Sequence, residues 1–400
     1  MFRPTDPQTS LLENQYLLPP AKRARLVRSW AEPFRTVVMP LIDEEVFRDA
    51  FSDDNGRPNK SIRLLTGLHL LKEWNDLTDE QVLDALEYNL QWQYALGVEA
   101  GAAHVCQKTL HNFRLALMAS DRAQAMFVQV TRGLAQADGI GLGKQRLDST
   151  HVLSNIAVLT RLGLFTETVT TFLRELRGAL PERLAAVDSA VVERYLDREG
   201  YFADVKREQA LRRMPVVATD AVRLLGQFAG DEVVAALASY GLLERLVAEQ
   251  CDVVNDHDHG DGGDTSGDAA TGGAAGAPAE PKVQVKAPKT VSSASMQSPH
   301  DPDATYGHKG KGYEVQLSET CDDSNGYQLI TAVAVNGAHE SDQRALVPVL
   351  EQLTQTGMCP DELLADTGYG SGANIVQAAR LGVDLQAPVQ DPAAVAARKA

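Results

Sequence analysis

The chain has 400 residues, 44% of them hydrophobic, and a formal net charge of −16. That length and apolar content support two or three domains, each with its own core. The acidic balance excludes indiscriminate polyanion binding, but residues 251–280 alone carry seven acids and no Lys or Arg, which leaves room for a local basic surface elsewhere.

Residues 1–60 are punctuated by Pro4, Pro7, Pro19, Pro20, Pro33, Pro40 and Pro58 and read as an N-terminal arm. Lys22, Arg23, Arg25, Arg28 and Arg35 cluster around Trp30; a solvated helix face is the simpler reading and a phosphate-contacting arm the sharper one. Residues 61–140 read as a helical domain. Ser61 is placed to cap a helix carrying Ile62, Leu65, Leu68 and Leu71. Thr78 and Gln81 have capping-box spacing ahead of Val82, Leu83, Leu86 and Leu90. Thr109 is expected to open a third helix through Leu110, Phe113 and Leu117. A fourth carries Met126, Phe127, Val130 and Leu134 and ends near Gly139. Trp74, Tyr88, Trp92 and Tyr94, at helical spacing, read as core rather than as base-stacking residues. Short helices joined by short turns fit the kind of bundle that hosts helix-turn-helix DNA readers, although periodicity by itself gives only a helical domain.

The pattern changes at 141–157, where Leu147, Val152 and Ile156 stand among β-branched and polar residues and predict a strand and its exit. Helical periodicity returns over 158–251 as a long insert, with Phe172, Leu173, Leu176 and Leu180, then Val191, Val192, Tyr195 and Leu196, then Val233, Val234, Leu237, Leu242 and Leu243. Residues 252–304 are rich in Gly, Ala, Asp, Ser and Pro and read as a flexible acidic loop. His257 and His259 lie there among Asp256, Asp258 and Asp261, in a setting that fixes no ligand geometry. Over 305–400 the pattern alternates: strands at 313–317 and 329–335 around Asn325-Gly326, a helix at 341–356, a strand ending at Asp366, a helix at 372–381 and a last strand at 383–387. The order β, helical insert, β, β, α, β, α, β is a mixed α/β sheet interrupted once.

Two motifs carry chemistry. Gln145-Arg146-Leu147-Asp148-Ser149-Thr150-His151-Val152 and Glu362-Leu363-Leu364-Ala365-Asp366-Thr367-Gly368-Tyr369-Gly370-Ser371 each bring an aspartate to a strand end, where α/β sheets keep their ligands. One such aspartate is usually a turn former or a helix cap. Two in matching places, each followed by small or hydroxyl residues, make Asp148 and Asp366 the candidate pair. Hard divalent cations such as Mg2+ prefer oxygen ligands, and two such ions about 3.5–4 Å apart activate and stabilise the oxygens of a phosphodiester displacement. His308, Lys309 and Lys311 sit among Gly307, Gly310 and Gly312, either as contacts to a DNA backbone or as a solvated turn. His151 reads as a satisfied surface histidine rather than as an orienting group.

Asp301-Pro302-Asp303-Ala304, Gly307-His308-Lys309-Gly310 and Gly312-Tyr313-Glu314-Val315-Gln316, together with the two aspartate motifs, resemble bacterial insertion-sequence transposases of the DDE class. Residues 61–97 resemble the N-terminal helical domain of that family, and the resemblance covers roughly 35–157 and 298–390. It implies an RNase H-like catalytic domain formed by 141–157 and 305–400, with the long helical insert after its first strand and a DNA-binding helical domain before it. It implies Mg2+, with Mn2+ as a substitute, held by Asp148 and Asp366, and cleavage and strand transfer at the terminal inverted repeats of a mobile element. The family's first catalytic aspartate falls on Asp148 and its second on Asp366. Its third acid, a glutamate on a helix beyond the last strand, has no match: Asp391 comes too soon, between Pro388 and Pro392, and Asp384 starts the last strand. The expectation is therefore an incomplete catalytic domain in a C-terminally truncated chain, with weak cleavage or none by itself. The alternative is a non-catalytic DNA-binding fragment that competes for element ends. Transposases of this kind often work as dimers, and no residue pattern here marks an interface.

Cys106, Cys251, Cys321 and Cys359 form no C-x-x-C pair, which suits a reducing cytoplasm better than a disulfide framework. No apolar stretch approaches the ~20 residues of a membrane span, and Pro4, Asp6 and Pro7 stand where a secretion signal needs an apolar core. A cytoplasmic protein without membrane contact is expected.

Overall fold

Ser61 accepts a hydrogen bond from the Leu64 N–H at 3.0 Å and starts a helix, as its position ahead of the apolar repeat predicts. A computed structural model describes this and the rest of residues 1–5, 18–51, 58–99, 104–153, 159–197, 207–254 and 282–388. The longer helices of the N-terminal part are α1 (Pro20–Val27), α2 (Ile62–Trp74), α3 (Asp79–Tyr88), α4 (Leu90–Leu96), α5 (Gln107–Met118) and α6 (Arg122–Asp138). The capping box at the start of α3 is complete: Gln81 N–H donates to the Thr78 hydroxyl, and Thr78 N–H donates to the Gln81 side chain. Thr78→Ala removes one of these bonds and is expected to cost about 1 kcal/mol, read as a shift in the urea unfolding midpoint; a midpoint equal to wild type would show that the cap contributes nothing.

Arg114 on α5 grips Asp79 at the start of α3 with two bonds of 2.8 Å. That hydrogen-bonded guanidinium holds the Asp79 carboxyl below its ordinary value. Stability from a lowered carboxyl is complete above the unfolded value of about 4 and is lost as pH falls through the folded value. Arg114→Gln is therefore expected to make the urea midpoint less sensitive to acidification below about pH 4. An acid limb as steep as that of wild type would remove the pair from the account.

Two features of this part differ from the sequence reading. Residues 20–50 are mostly helical rather than an irregular arm, and Leu26, Phe34, Met39, Ile42 and Phe47 share one core with Leu65, Leu68, Val82, Trp92 and Phe113. Phe47 stacks on Phe113 with ring centroids 5.0 Å apart. The aromatic set also divides, because Trp92 and Tyr94 are buried while Trp74 and Tyr88 are 62% and 81% exposed. Lys22, Arg23, Arg25 and Arg28 lie on an exposed stretch, whereas Arg35 packs over the Tyr94 ring at 4.8 Å. The third helix starts at Gln107, ahead of Thr109.

The chain continues through β1 (Lys144–Leu153), α7 (Arg161–Ala179), α8 (Arg207–Phe228), α9 (Ala238–Gln250), β2 (Cys251–Val254), β3 (Lys282–Val285), β4 (Thr305–Gly307), β5 (Gly310–Thr320), β6 (Ile330–Gly337), α10 (Asp342–Gln355), β7 (Glu362–Ala365), α11 (Gly372–Arg380) and β8 (Asp384–Gln386). Among the described residues the strands form a six-stranded mixed sheet in the order β4-β5-β1-β7-β8, with β6 on β5, and a separate β2-β3 hairpin. The alternation read over 305–400 is present, and β2, β3 and β4 are additional. This is a mixed α/β architecture.

The chain divides into two compact units. One comprises Met1–Asp148, Leu317–Val333 and Leu346–Ala400; the other comprises Ser149–Gln316 and Ala334–Ala345. In the second unit Phe172, Leu173, Leu176, Val191, Tyr195, Val234 and Leu243 are buried as expected of the insert, whereas Val233 is 55% exposed; Phe172 lies against Phe228 and Tyr240 at centroid distances of 5.9 and 5.8 Å. Asp220, also buried, accepts from Arg194 and from the Tyr195 hydroxyl, so its charge is matched inside the helices. The stretch 252–304, read as one flexible loop, is built at both described ends. Cys251–Val254 and Lys282–Val285 form an antiparallel hairpin, and Ser295, Met296, Ser298 and Ala304 are buried. His257, His259 and their neighbouring acids lie outside the described residues, as does Asp391.

Candidate functional site

In the first unit, β1 and β7 run parallel with Lys144 beside Glu362, Gln145 beside Leu363, Arg146 beside Leu364 and Leu147 beside Ala365. The next position along each chain is Asp148 and Asp366. Alternation along the strands puts Lys144, Arg146 and Asp148 of β1 on one face with Glu362 and Leu364 of β7. Lys144 confirms the face by reaching Glu362 at 3.5 Å. On the other side of β1, Arg146 pairs with Glu319 of β5. Lys144 and Arg146 are thus each matched to a carboxylate, and the residues that follow the last β1–β7 pair, Asp148 and Asp366, are both exposed.

One expectation needs correction here. Asp366 follows the last residue of β7, as read, but Asp148 lies in the middle of β1, which continues to Leu153. Asp148 stands one step beyond the last β1–β7 pair because β7 stops, not because β1 does.

The motif after Asp366 is a set of local restraints. Its carboxylate Oδ1 accepts from the Gly368 N–H at 2.8 Å, and its carbonyl accepts from the Tyr369 N–H at 3.2 Å. Tyr369 is fully buried. Gly370 must lack a side chain, since a Cβ there would lie 2.1 Å from the Pro388 carbonyl oxygen. Ser371 caps α11 by accepting from the Asn374 N–H at 3.2 Å, and the Asn374 amide donates to the Tyr369 carbonyl at 2.8 Å. The turn therefore holds one carboxylate oxygen of Asp366 in a defined direction.

Beneath this face Gln145 is fully buried and uses its whole side-chain amide. It donates to the Leu142 and Met358 carbonyls at 2.9 and 2.8 Å and accepts from the Ser318 and Thr331 hydroxyls at 2.8 and 2.6 Å. Neither this network nor the Lys144 and Arg146 pairs figured in the sequence reading. The alternating Lys144, Arg146, Asp148 was the only signal available for the pairs.

Two exposed carboxylates supply the hard oxygen donors that Mg2+ takes. Among the described residues no group of three or more His, Cys, Asp or Glu side chains is arranged to hold a metal ion. Asp148 and Asp366 have the donor chemistry such an ion takes, and no described residue joins them in a group of three.

His308, Lys309 and Lys311 belong to the second unit, at the β4–β5 hairpin. Gly307 is required there because a Cβ would meet the Ala338 carbonyl oxygen at 2.1 Å. His308 and Lys309 are exposed at the tip, and Lys309 approaches Glu314 at 3.6 Å. Lys311 donates to the Leu159 carbonyl at 2.9 Å. The three do not form one patch, because Lys311 turns into the protein while the other two face solvent. His151 is not a surface histidine: its side chain is 7% exposed and its Nδ1 lies 3.3 Å from Glu314.

Comparison with known proteins adds a class. Residues 23–115 match the family model described as "Transposase domain (DUF772)". That match starts inside the stretch read as an arm and spans most of the helical core. A 44-residue segment is 46% identical to the "Uncharacterized protein ORF8 in nfe locus" of Rhizobium meliloti, covering 11% of this chain and 21% of that protein. The chain thus spans about a fifth of the length of the curated relative it matches. No solved structure matches. Among the described residues no helix is long and apolar enough to cross a membrane.

Proposed function

We propose that the chain is a transposase of the DDE type, with an RNase H-like sheet bearing Asp148 and Asp366 and a helical domain that docks on DNA. The observation that carries the reading is the parallel β1–β7 register, after whose last pair the next residue of each segment is one of these two aspartates. The transposase-domain match over residues 23–115 supports the class.

In this reading Asp148 and Asp366 hold Mg2+, or Mn2+ in its place. The bound metal supplies an activated water or hydroxyl and stabilises the leaving oxygen of a phosphodiester. The Gly368 N–H orients the Asp366 carboxylate for that role. Lys144 and Arg146, each paired with a carboxylate, keep cations near the phosphate strand in this reading. The partner is DNA carrying the terminal inverted repeats of the element, His308 and Lys309 are exposed contacts to its backbone, and the working assembly is a homodimer. The test is incubation of the purified chain with a duplex bearing those ends, with Mg2+, Mn2+ or a chelator. Because no described residue completes the ligand set, nicking is expected to be weak and to depend on the metal; binding that never leads to nicking would remove the catalytic part of the proposal.

The size of the acid set favours a second reading, a DNA-binding protein that occupies element ends without cutting them. It expects salt-sensitive binding, no nicking, and no effect of Asp148→Asn on affinity. A chain that neither binds nor nicks would sink both.

A further inference from the structure

The second unit contains a cavity of about 240 Å³ into which two cationic side chains enter and no carboxylate among the described residues does. Lys311 of β5 is one of the cations. It lies directly across the hairpin from Tyr306 of β4, which also lines the cavity and is 54% exposed. Arg161, the first residue of α7, is the other.

Among the described residues neither cation meets a carboxylate. The Lys311 ammonium donates to one backbone carbonyl, that of Leu159 at 2.9 Å. The Arg161 guanidinium donates to the Gln250 side chain at 2.8 Å and to the carbonyls of Lys286 and Gln250 at 2.7 and 3.3 Å. All of these acceptors are neutral. An ammonium has three donors and a guanidinium five, so each cation retains about two N–H groups for a ligand. Burial pulls both groups below their ordinary values, so they are partly dried charges with no carboxylate partner among the described residues. A cation in that state gains more from an anion than one in water does.

Leu159, Leu164 and Val291 supply apolar walls. A bare inorganic anion would leave them unused, whereas a phosphate joined to a sugar covers them while its oxygens meet Lys311 and Arg161. We infer that this cavity is a phosphate site that takes a sugar–phosphate unit of a DNA strand, with Lys311 and Arg161 on the phosphate oxygens and Tyr306 against the sugar. The choice of DNA over a free phosphate compound rests on the proposed function; the cavity chemistry does not.

The test uses the full chain, with a mixed-sequence DNA duplex and inorganic phosphate as separate probes. Affinity for the duplex is measured over a range of salt concentrations for wild type, Lys311→Gln and Lys311→Arg. Acetylation of Lys311 is followed in parallel by mass spectrometry, without probe and with each one. The expected result is a roughly tenfold loss of affinity in Lys311→Gln, with the salt slope reduced by about one. Lys311→Arg should restore most of both, and the duplex should protect Lys311 from acetylation. Thermal midpoints equal to wild type show that the variants fold. Unchanged affinity and slope in Lys311→Gln, with Lys311 acetylated equally in the presence of DNA, would overturn the inference. If wild type binds no duplex, the DNA reading fails by itself. Protection of Lys311 by inorganic phosphate would then support the phosphate site without the DNA source, and protection by neither probe would reject the site.

Discussion

Asp366→Asn is expected to reduce metal-dependent nicking of DNA bearing the element ends by more than about 100-fold, because even outer-shell partners of a metal ligand cost 10–100-fold when lost. Asparagine is the informative replacement. It keeps a side-chain oxygen to accept from the Gly368 N–H, so the turn leading to Tyr369 and α11 should persist. It removes the negative charge that a hard divalent cation requires. Asp148→Asn should behave in the same way, since each of the two residues directly follows the last β1–β7 pair, Leu147 beside Ala365. If the two carboxylates act as one unit, the double variant should be no worse than either single one. Affinity for the duplex should stay within a few-fold of wild type in all three. Nicking by Asp366→Asn close to the wild-type rate would detach that residue from the chemistry.

Gln145→Leu is expected to destabilise the first unit by at least about 3 kcal/mol, because each buried group left without a partner costs 1–3 kcal/mol. Leucine fits the volume approximately but supplies no polar atom. The carbonyls of Leu142 and Met358 would lose a donor, and the buried Ser318 hydroxyl would lose its acceptor. Thr331 would suffer less, since its hydroxyl also reaches the Ser318 carbonyl at 3.1 Å. The measurement is chemical unfolding monitored by circular dichroism, with Gln145→Glu as a companion that keeps an acceptor and loses the amide donors. A shift below about 1 kcal/mol would mean that water or backbone movement satisfies these groups instead. Gln145 lies three residues before Asp148 on β1, so a loosened network should also lower any activity that depends on that strand.

Much of the local architecture could be read directly. Ser61 before Leu64, Thr78 before Gln81 and Ser371 before Asn374 mark helix starts through bonds that span two or three residues, and such bonds are written in contiguous sequence. The strand and helix alternation after residue 305 was legible for the same reason. The failures have a common cause. Trp74 and Trp92 carry the same helical spacing, yet their burial depends on which other segments cover them. β4 and the β2–β3 hairpin are three or four residues long, too short to show a period, and they exist because a partner strand pairs with them. Residues 20–50 looked irregular because prolines interrupt short helices whose apolar side chains become regular only within the shared core.

The candidate sites divide along the same line. Sequence by itself determined that Asp148 and Asp366 are short carboxylates in strand-forming context, and that a glycine-rich turn follows the second. It also determined the type of the helices and strands with a clear period, such as those starting at Ser61 and Thr78 and those after residue 310, since side-chain periodicity and capping act within a few residues. Only the tertiary structure decided that the two aspartates follow matched positions, and that Lys311 enters a cavity with Arg161 while Lys309 faces solvent. Pairing of β1 with β7 joins segments separated by the entire helical insert. Its register is set by backbone hydrogen bonds and by which face is buried, neither of which is encoded in the residues adjacent to either aspartate.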